Sequence, residues 1–354
     1  MQMIAGGAVQ ATGIRPRTEG WWASHQWLPR TIYWGIHASC LLALWVGVST
    51  GDLTLLAVTL SVRLLGITAG YHRYFSHRAY KTSRAFQFAL ALVGSMAVQK
   101  GPLWWSGNHR NHHRFSDQPG KDVHSPKDGF YYAHQGWIFD PRWEATPINQ
   151  IRDFAQYPEL LWLNRWHVVP PAALAVLCFA VGGGSGLLWG FAISTVALWH
   201  ITYSINSLSH VWGTRRYDTD DTSRNNALLG LLTFGEGWHN NHHHFSNSCR
   251  QGFFWWEIDV TYYVLRGLAA VGLIWDIREP PEEVIRATSK SGLGLLAERT
   301  AEEPVDTRGQ NRGGAQVHQP AIPGRTTPLQ HAQDGPDHRD QGQLTHFDSQ
   351  VETQ

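Results

Sequence analysis

The amino-acid sequence predicts an all-α integral membrane protein: four transmembrane helices in two hairpins, with a cytosolic helical cap in which histidines cluster. Three observations predict it. Residues 31–71 carry only two charges, Asp52 and Arg63, and residues 166–214 carry no Asp, Glu, Lys or Arg. Each stretch is interrupted near its middle by turn-forming residues, Ser49-Thr50-Gly51-Asp52 in the first and Gly182-Gly183-Gly184-Ser185-Gly186 in the second. The polar residues lie outside both, and 9 of the 20 histidines fall within residues 72–77, 109–113 and 239–244.

In chain order, residues 1–30 form a polar arm with Arg15, Arg17 and Arg30. It lacks the basic start, apolar core and small-residue cleavage site of a signal peptide, so none is expected to be cleaved. The two halves of residues 31–71 are about 19 residues each, and at ~1.5 Å per residue each reaches roughly the ~30 Å of a hydrocarbon core. Residues 31–285 are read as one membrane domain, with hairpins at about 31–71 and 168–206 and a cap made of 72–167 and 207–285. Within the cap, Phe86 to Val98 is apolar but too short to span, and Phe253 to Trp275, interrupted by Glu257, Asp259 and Arg266, reads as an interfacial helix. Pro170-Pro171 opens the third span. Residues 286–354 have one aromatic, Phe347, in a Gly, Gln, Thr, Pro and Asp background. Such a segment cannot bury enough apolar surface to offset chain entropy, so a disordered tail is expected.

Composition excludes several classes. The 354 residues are 16% charged with a formal net charge of +1, which gives no electrostatic case for a nucleic-acid partner. Cys40, Cys178 and Cys249 are far apart and form no CxxC, which excludes a disulfide framework and a cysteine zinc site. Both hairpin turns lack Lys and Arg, whereas the arm, the 72–165 segment and everything after 214 carry the basic residues. By the positive-inside rule both termini and all three histidine clusters face the cytoplasm.

The second and third clusters, His109-Arg-Asn-His112-His113 and His239-Asn-Asn-His242-His243, both have the spacing i, i+3, i+4. On a helix these three residues share one face. His72 and His77 are five apart and diverge by about 140° on an ideal α-helix, so His72 is placed at the end of the second span and His77 after a bend. His210 and Asn206 share a face at the end of the fourth span. Together these are nine imidazoles and one amide. One metal takes four to six ligands, so two metals are expected, of a kind that imidazole suits, with an open position for catalysis. His25, His37, His124, His134, His167 and His200 are read as interfacial or hydrogen-bonded core residues. His244 is read as lying outside the ligand set, and Arg63 as snorkelling or pairing with a polar group.

The pattern H-x4-H, H-x2-H-H, N-x3-H and G-E-G-x-H-x2-H-H between two hairpins resembles the membrane fatty acyl desaturases, in particular the Δ9 stearoyl-CoA branch and its bacterial acyl-lipid relatives. The likeness spans about residues 35–280 and includes Gly66-Ile-Thr-Ala-Gly70 before His72 and Gly235-Glu236-Gly237-Trp238-His239. The resemblance implies two irons held by His72, His77, His109, His112, His113, His210, His239, His242 and His243, with Asn206 holding a water on one of them. It also implies that dioxygen and two electrons are used to place a cis double bond, Δ9 by likeness, in a saturated long-chain acyl-CoA or acyl-lipid. Zinc is the expected artefactual replacement. Such chemistry suits an unactivated methylene, which has no acidic proton for a base to remove.

Glu236 is assigned either to orienting a ligand imidazole from behind or to a helix start. Gln99, Trp104, Trp105, Trp199 and Thr202 are candidates for the acyl tunnel, and Lys100 and Arg110 for a phosphate of the headgroup. Gly107 and Asn108 stand where animal acyl-CoA enzymes of the family carry charge. The sequence has no cytochrome b5 motif and no cysteine cluster for iron–sulfur, so an external donor of cytochrome b5 or ferredoxin type is implied. A bacterial inner-membrane location goes with that likeness. Competing readings are a membrane di-iron hydroxylase of lipids or alkanes and a zinc-binding or transport protein. The latter normally places its ligands at the bilayer midplane, not outside the spans.

Overall fold

The computed structural model describes residues 27–287. The arm up to residue 26, with His25, and the expected tail from residue 288 onward lie outside the described residues. The chain is mostly helical, with one two-stranded antiparallel ladder, β1 (Lys81–Thr82) and β2 (Ile274–Trp275).

Two helices are long and apolar enough to cross a membrane, Thr50–Ser76 and Val169–Val211. The segment before the first is a broken helix: α1 (Trp27–Ser39), a tighter turn at Cys40–Leu42 and α2 (Ala43–Val46), ended by Gly47 at φ 73°. A capping box starts α3 (Thr50–Leu65): Asp52 N–H donates to Ser49 Oγ (3.2 Å), and Ser49 N–H donates back to the Asp52 carboxylate (2.9 Å). The helix runs on to Ser76, but from Gly66 its turns widen to i→i+5 bonding, closing with His77 N–H on the His72 carbonyl (3.1 Å). His77 therefore follows a helix wound more loosely, not the bend that its spacing suggests.

The chain continues with α4 (Arg84–Ser95), α5 (Pro102–Phe115), α6 (Phe130–His134), α7 (Arg152–Ala155) and α8 (Pro158–Arg165). α4 packs against the widened segment at closest range where glycines meet: a Cβ on Gly94 would lie 2.4 Å from the Tyr71 ring, and one on Gly66 2.7 Å from Gly94 N. Leu64, Phe75, Leu103, Leu160, Leu163 and Leu198 are fully buried and join α3, its extension, α5, α8 and the last long helix in one core. Each such side chain contributes about 1.5–3 kcal/mol by burial.

The second long apolar stretch comprises α9 (Val169–Gly186), a widened turn at Leu187–Ile193 and α10 (Ser194–Val211). Gly182 and Gly183 are non-helical, Gly183 with φ 60° and ψ −147°. A Cβ on Gly186 would lie 2.4 Å from the Cys178 carbonyl oxygen, so the chain reverses at the glycine run and its two arms lie side by side. Ser185 Oγ donates to Asp52 Oδ1 (2.7 Å), which ties the glycine turn to the start of α3.

Arg63 does not snorkel. It is 1% exposed and donates to Thr59 O, Thr195 Oγ1 and Ser194 Oγ, pinning α3 to the first turn of α10. The last part comprises α11 (Ala227–Leu232), α12 (His239–His244), α13 (Val260–Ala270) and α14 (Glu282–Arg286). Only Val260–Ala270 of the predicted 253–275 helix forms, because Asp259 caps it, accepting from Tyr262 N (2.9 Å). Glu257 and Asp259 are buried and hydrogen-bonded, while Trp255, Trp256, Ile258 and Tyr263 stay exposed.

Replacing Asp52 by Ala removes the capping box and the Ser185 contact together. The thermal midpoint of detergent-solubilised protein should fall, and Asp52→Asn should lower it less; an unchanged midpoint in Asp52→Ala would show that the tie carries no stability.

Candidate metal centre

The widened helix end, α5, α10 and α12 each contribute histidines, and the structure sorts nine of them into two groups. His72, His77, His109, His113 and His242 form one; His112, His210, His239 and His243 form the other. The i, i+3, i+4 triplets are therefore divided, with α5 and α12 each serving both groups. In the first group the Nε2 atoms follow one another at close range: His72 to His242 3.1 Å, His242 to His113 2.9 Å, His113 to His109 3.0 Å and His109 to His77 3.0 Å. His210 and His239 Nε2 are 3.1 Å apart in the second group, where the Nε2 atoms of His112 and His243 are buried without a hydrogen-bond partner.

Nitrogens about 2.1 Å from one cation are about 3.0 Å apart at right angles and about 3.4 Å apart in a tetrahedron. The spacing in the five-histidine group is that of right-angled coordination. It fits a six-coordinate metal with one position left over better than a closed tetrahedral zinc site.

The opposite ring nitrogens fix the tautomers. His72 Nδ1 lies 2.5 Å from Glu236 Oε2, His112 Nδ1 2.8 Å from Asp122 Oδ1, and His243 Nδ1 2.5 Å from Asp221 Oδ2; His210 Nδ1 is 3.4 Å from Asp117 Oδ1. Where a carboxylate accepts a hydrogen bond from Nδ1–H, as for His72, His112 and His243, the Nε2 lone pair is left for a cation. Glu236 thus orients His72, not its sequence neighbour His239. Arg73 binds the other Glu236 oxygen (3.0 Å) and Asp259 (2.9 Å).

Electrostatics agree. Burial, and then the neighbouring imidazoles, push His109, His113, His239 and His242 well below the ordinary histidine range. His243 falls to about 4, burial outweighing Asp221. For His112 burial also favours the neutral ring, but Asp122, Asp221 and Asp117 together turn the shift upward. Burial would raise Asp117; His210 and Thr222 reverse this and hold it at about 2.

Gln99, Trp104, Trp105 and Thr202 line one narrow cleft together with Asn108, His109, His124, Trp137, Tyr203 and Asn206. Gln99 Nε2 donates to Thr202 Oγ1 (2.8 Å), and Trp105 Nε1 donates to Gln99 Oε1 (3.0 Å). The Trp105 ring stacks on His109 with centroids 5.1 Å apart. The tunnel candidate Trp199 and the headgroup candidate Lys100 do not line this cleft. Trp199 stacks on Tyr33 and donates to the carbonyls of Ala97 and Val98, and Lys100 lies over Trp104 with Nζ 3.3 Å from the Glu144 carbonyl. Arg110 is engaged with Asp153 and the Phe75, Ser76 and Gln150 carbonyls, so it does not present a free guanidinium to a phosphate.

Sequence reasoning missed Asp117, Asp122 and Asp221, and it classed His124 with the ordinary core histidines. His124 is buried against His112, ring centroids 4.3 Å apart, and joins His112 and Asp122 in a third group able to hold a metal. His37, His200 and His134 do form a hydrogen-bonded chain (3.2 and 2.9 Å) that ends on Ser207. His244 stacks on Tyr217, away from the groups.

Comparison with known proteins adds an independent line. A family model described as fatty acid desaturase matches residues 43–272. The chain is 41% identical over 222 residues to the chloroplastic palmitoyl-monogalactosyldiacylglycerol delta-7 desaturase of Arabidopsis thaliana, covering 62% of this chain and 60% of that one. It is 35% identical over 262 residues to the sn-2 palmitoyl-lipid 9-desaturase of Nostoc sp. (strain 36), covering 73% and 92%. To the icosanoyl-CoA 5-desaturase of Limnanthes douglasii it is 40% identical over 223 residues, covering 62% of each. The chain thus spans less than two thirds of the first and third of these proteins and nearly all of the second.

Since most of these imidazoles are driven below their ordinary value of about 6.5, protons compete with a bound metal only in acid. Metal content of purified protein should hold down to about pH 6 and fall in more acidic buffer; loss already near neutrality would contradict the burial argument.

Proposed function

The chain belongs to the fatty acid desaturase family, and from that premise we propose that it is a di-iron, dioxygen-dependent acyl desaturase of a cell membrane. Its substrate is a saturated long-chain acyl group carried on a lipid or on coenzyme A, and its product a cis olefin, Δ9 in position. The observation that carries this reading is the convergence of nine imidazoles into two groups, with His109 of the first forming part of the wall of the cleft held by Gln99, Thr202 and Trp105.

When bound, the iron pair supplies the oxidising power that an unactivated methylene demands. His72, His77, His109, His113 and His242 would hold one iron, and His112, His210, His239 and His243 the other, with Asn206 beside the pair. The side chains do the rest. Burial keeps most of the imidazoles neutral, and carboxylates aim His72, His112 and His243. Trp104, Trp105 and Trp137 offer apolar walls that exclude water from an acyl chain. The Trp105–Gln99–Thr202 hydrogen bonds fix the shape of the cleft next to His109 and so decide which carbons lie nearest the metals.

The first span is the broken α1–α2 segment, and the arms of the glycine hairpin are the third and fourth, which makes four. The histidines then lie on the cytoplasmic side of an inner membrane, where an external one-electron carrier has access. A second cavity, lined by His113, His243, Arg114 and Asp218, reaches one ring from each group from another side.

Expression in a host lacking its own desaturase, with double-bond localisation on extracted lipids and on the acyl-CoA pool, tests the reading and separates the two carriers. Loss of two hydrogens supports it; gain of one oxygen would make the protein a hydroxylase. His112→Ala or His242→Ala should abolish the product with membrane insertion intact, and substantial residual activity would remove that residue from the ligand set. Gln99→Leu breaks both bonds of the cleft latch. It should scatter the double-bond position with metal content unchanged, and an unaltered product would refute the positional role.

A further inference from the structure

The two histidine groups differ in what stands behind them. Three rings of the four-histidine group face carboxylates: His112 faces Asp122, His243 faces Asp221 and His210 faces Asp117. These aspartates are buried, at 0%, 9% and 2% exposure. Their other contacts are neutral: Asp122 accepts from Asp117 N and His124 N, Asp221 from Ser223 N and Thr219 Oγ1, and Asp117 from Thr222 N and Oγ1. Among the described residues, their ion pairs are with histidines alone. Behind the five-histidine group stands one carboxylate, Glu236 on His72, and the buried Arg73 guanidinium lies between it and Asp259, partly offsetting both. Gln251 Nε2 adds a further donor to Glu236 (2.9 Å).

Two physical effects follow with the same sign. A carboxylate on Nδ1–H raises the electron density that the ring offers through Nε2. Uncompensated negative charge in a buried site stabilises the more positive of two metal states, and it does so more strongly than in water. The first effect reaches the four-histidine position from Asp122 and Asp221, and the second from these two and from Asp117. On the five-histidine position a single carboxylate meets a ring, and an arginine partly offsets its charge.

We propose that Asp117, Asp122 and Asp221 are positioning residues that make the two irons electronically unequal. The iron of the four-histidine group is the more readily oxidised and the harder to reduce. Starting from a diferric pair, the first electron from an external one-electron donor reduces iron(III) to iron(II) at the five-histidine position, and the second electron does the same at the four-histidine position. This rests on the di-iron reading above.

The test uses full-length protein loaded with iron, first assayed for two irons per chain and reversible reduction. Failure at that stage would sink the di-iron reading itself. Stepwise reduction is then followed by Mössbauer and EPR spectroscopy. The expected result is two separate one-electron steps with a mixed-valent species between them. Asp122→Asn and Asp221→Asn keep a hydrogen-bond acceptor and remove the charge. Each should lower the ferric-to-ferrous ratio severalfold at the potential of the second step, and leave the first nearly in place. Glu236→Gln should move the first step instead. Asp117→Asn, acting over the longer 3.4 Å contact, should shift the second step less, and it serves where the other variants lose iron. A purely structural role for the aspartates would alter iron content without a site-selective shift. Two irons reduced at one potential in the unaltered protein, or equal displacement of both steps in the aspartate variants, would overturn the proposal.

Discussion

Five imidazole nitrogens lie within 4.8 Å of one another, the spacing of ligands around one cation. The surrounding elements are arranged around that cluster. Neutral rings are obtained by burial, the orientation of His72, His112 and His243 by carboxylates on the far nitrogens, and the proximity of all the rings by four separate chain segments meeting at one place.

The long apolar helices serve the same end. Arg63 joins α3 to α10 deep in the structure through hydroxyl groups, not a counter-ion. Ser185 and Asp52 join the two turns at the other end. The helices that deliver His72, His77 and His210 are thus tied together at the turn end and again near mid-length, which limits how far the imidazoles can drift. The cleft has its own fixed polar hinge in Gln99, which takes one bond and gives another across elements that are otherwise apolar.

Much of this was legible in the sequence. The i, i+3, i+4 triplets announced rings on common helix faces, and the charge-free stretches with their turn residues announced the apolar helices. What periodicity does not carry is division of labour. The spacing of His109, His112 and His113 says they share a face, but not that His112 leaves its neighbours to join His210 and His239. The aspartates were invisible for a related reason: His243 and Asp221 are 22 positions apart and His210 and Asp117 farther still, so no local pattern links them. Trp199 stacks on Tyr33, from a segment far away in the chain, a contact that no local pattern announces. The 253–275 stretch failed as a long helix because Glu257 and Asp259, read as interruptions of an interfacial helix, are held by buried partners.

The looser winding between Gly66 and Ser76 has a consequence for how the protein can change over time. His72 and His77 come together, with ring centroids 4.8 Å apart, because the backbone there pairs each residue with the fifth one along. Exchange of one side chain for another of similar size leaves that pairing intact. Gain or loss of a single residue does not, since it would rotate everything beyond it about the helix axis and swing one ring away. This stretch should therefore accept spelling changes in its gene far more readily than changes in length.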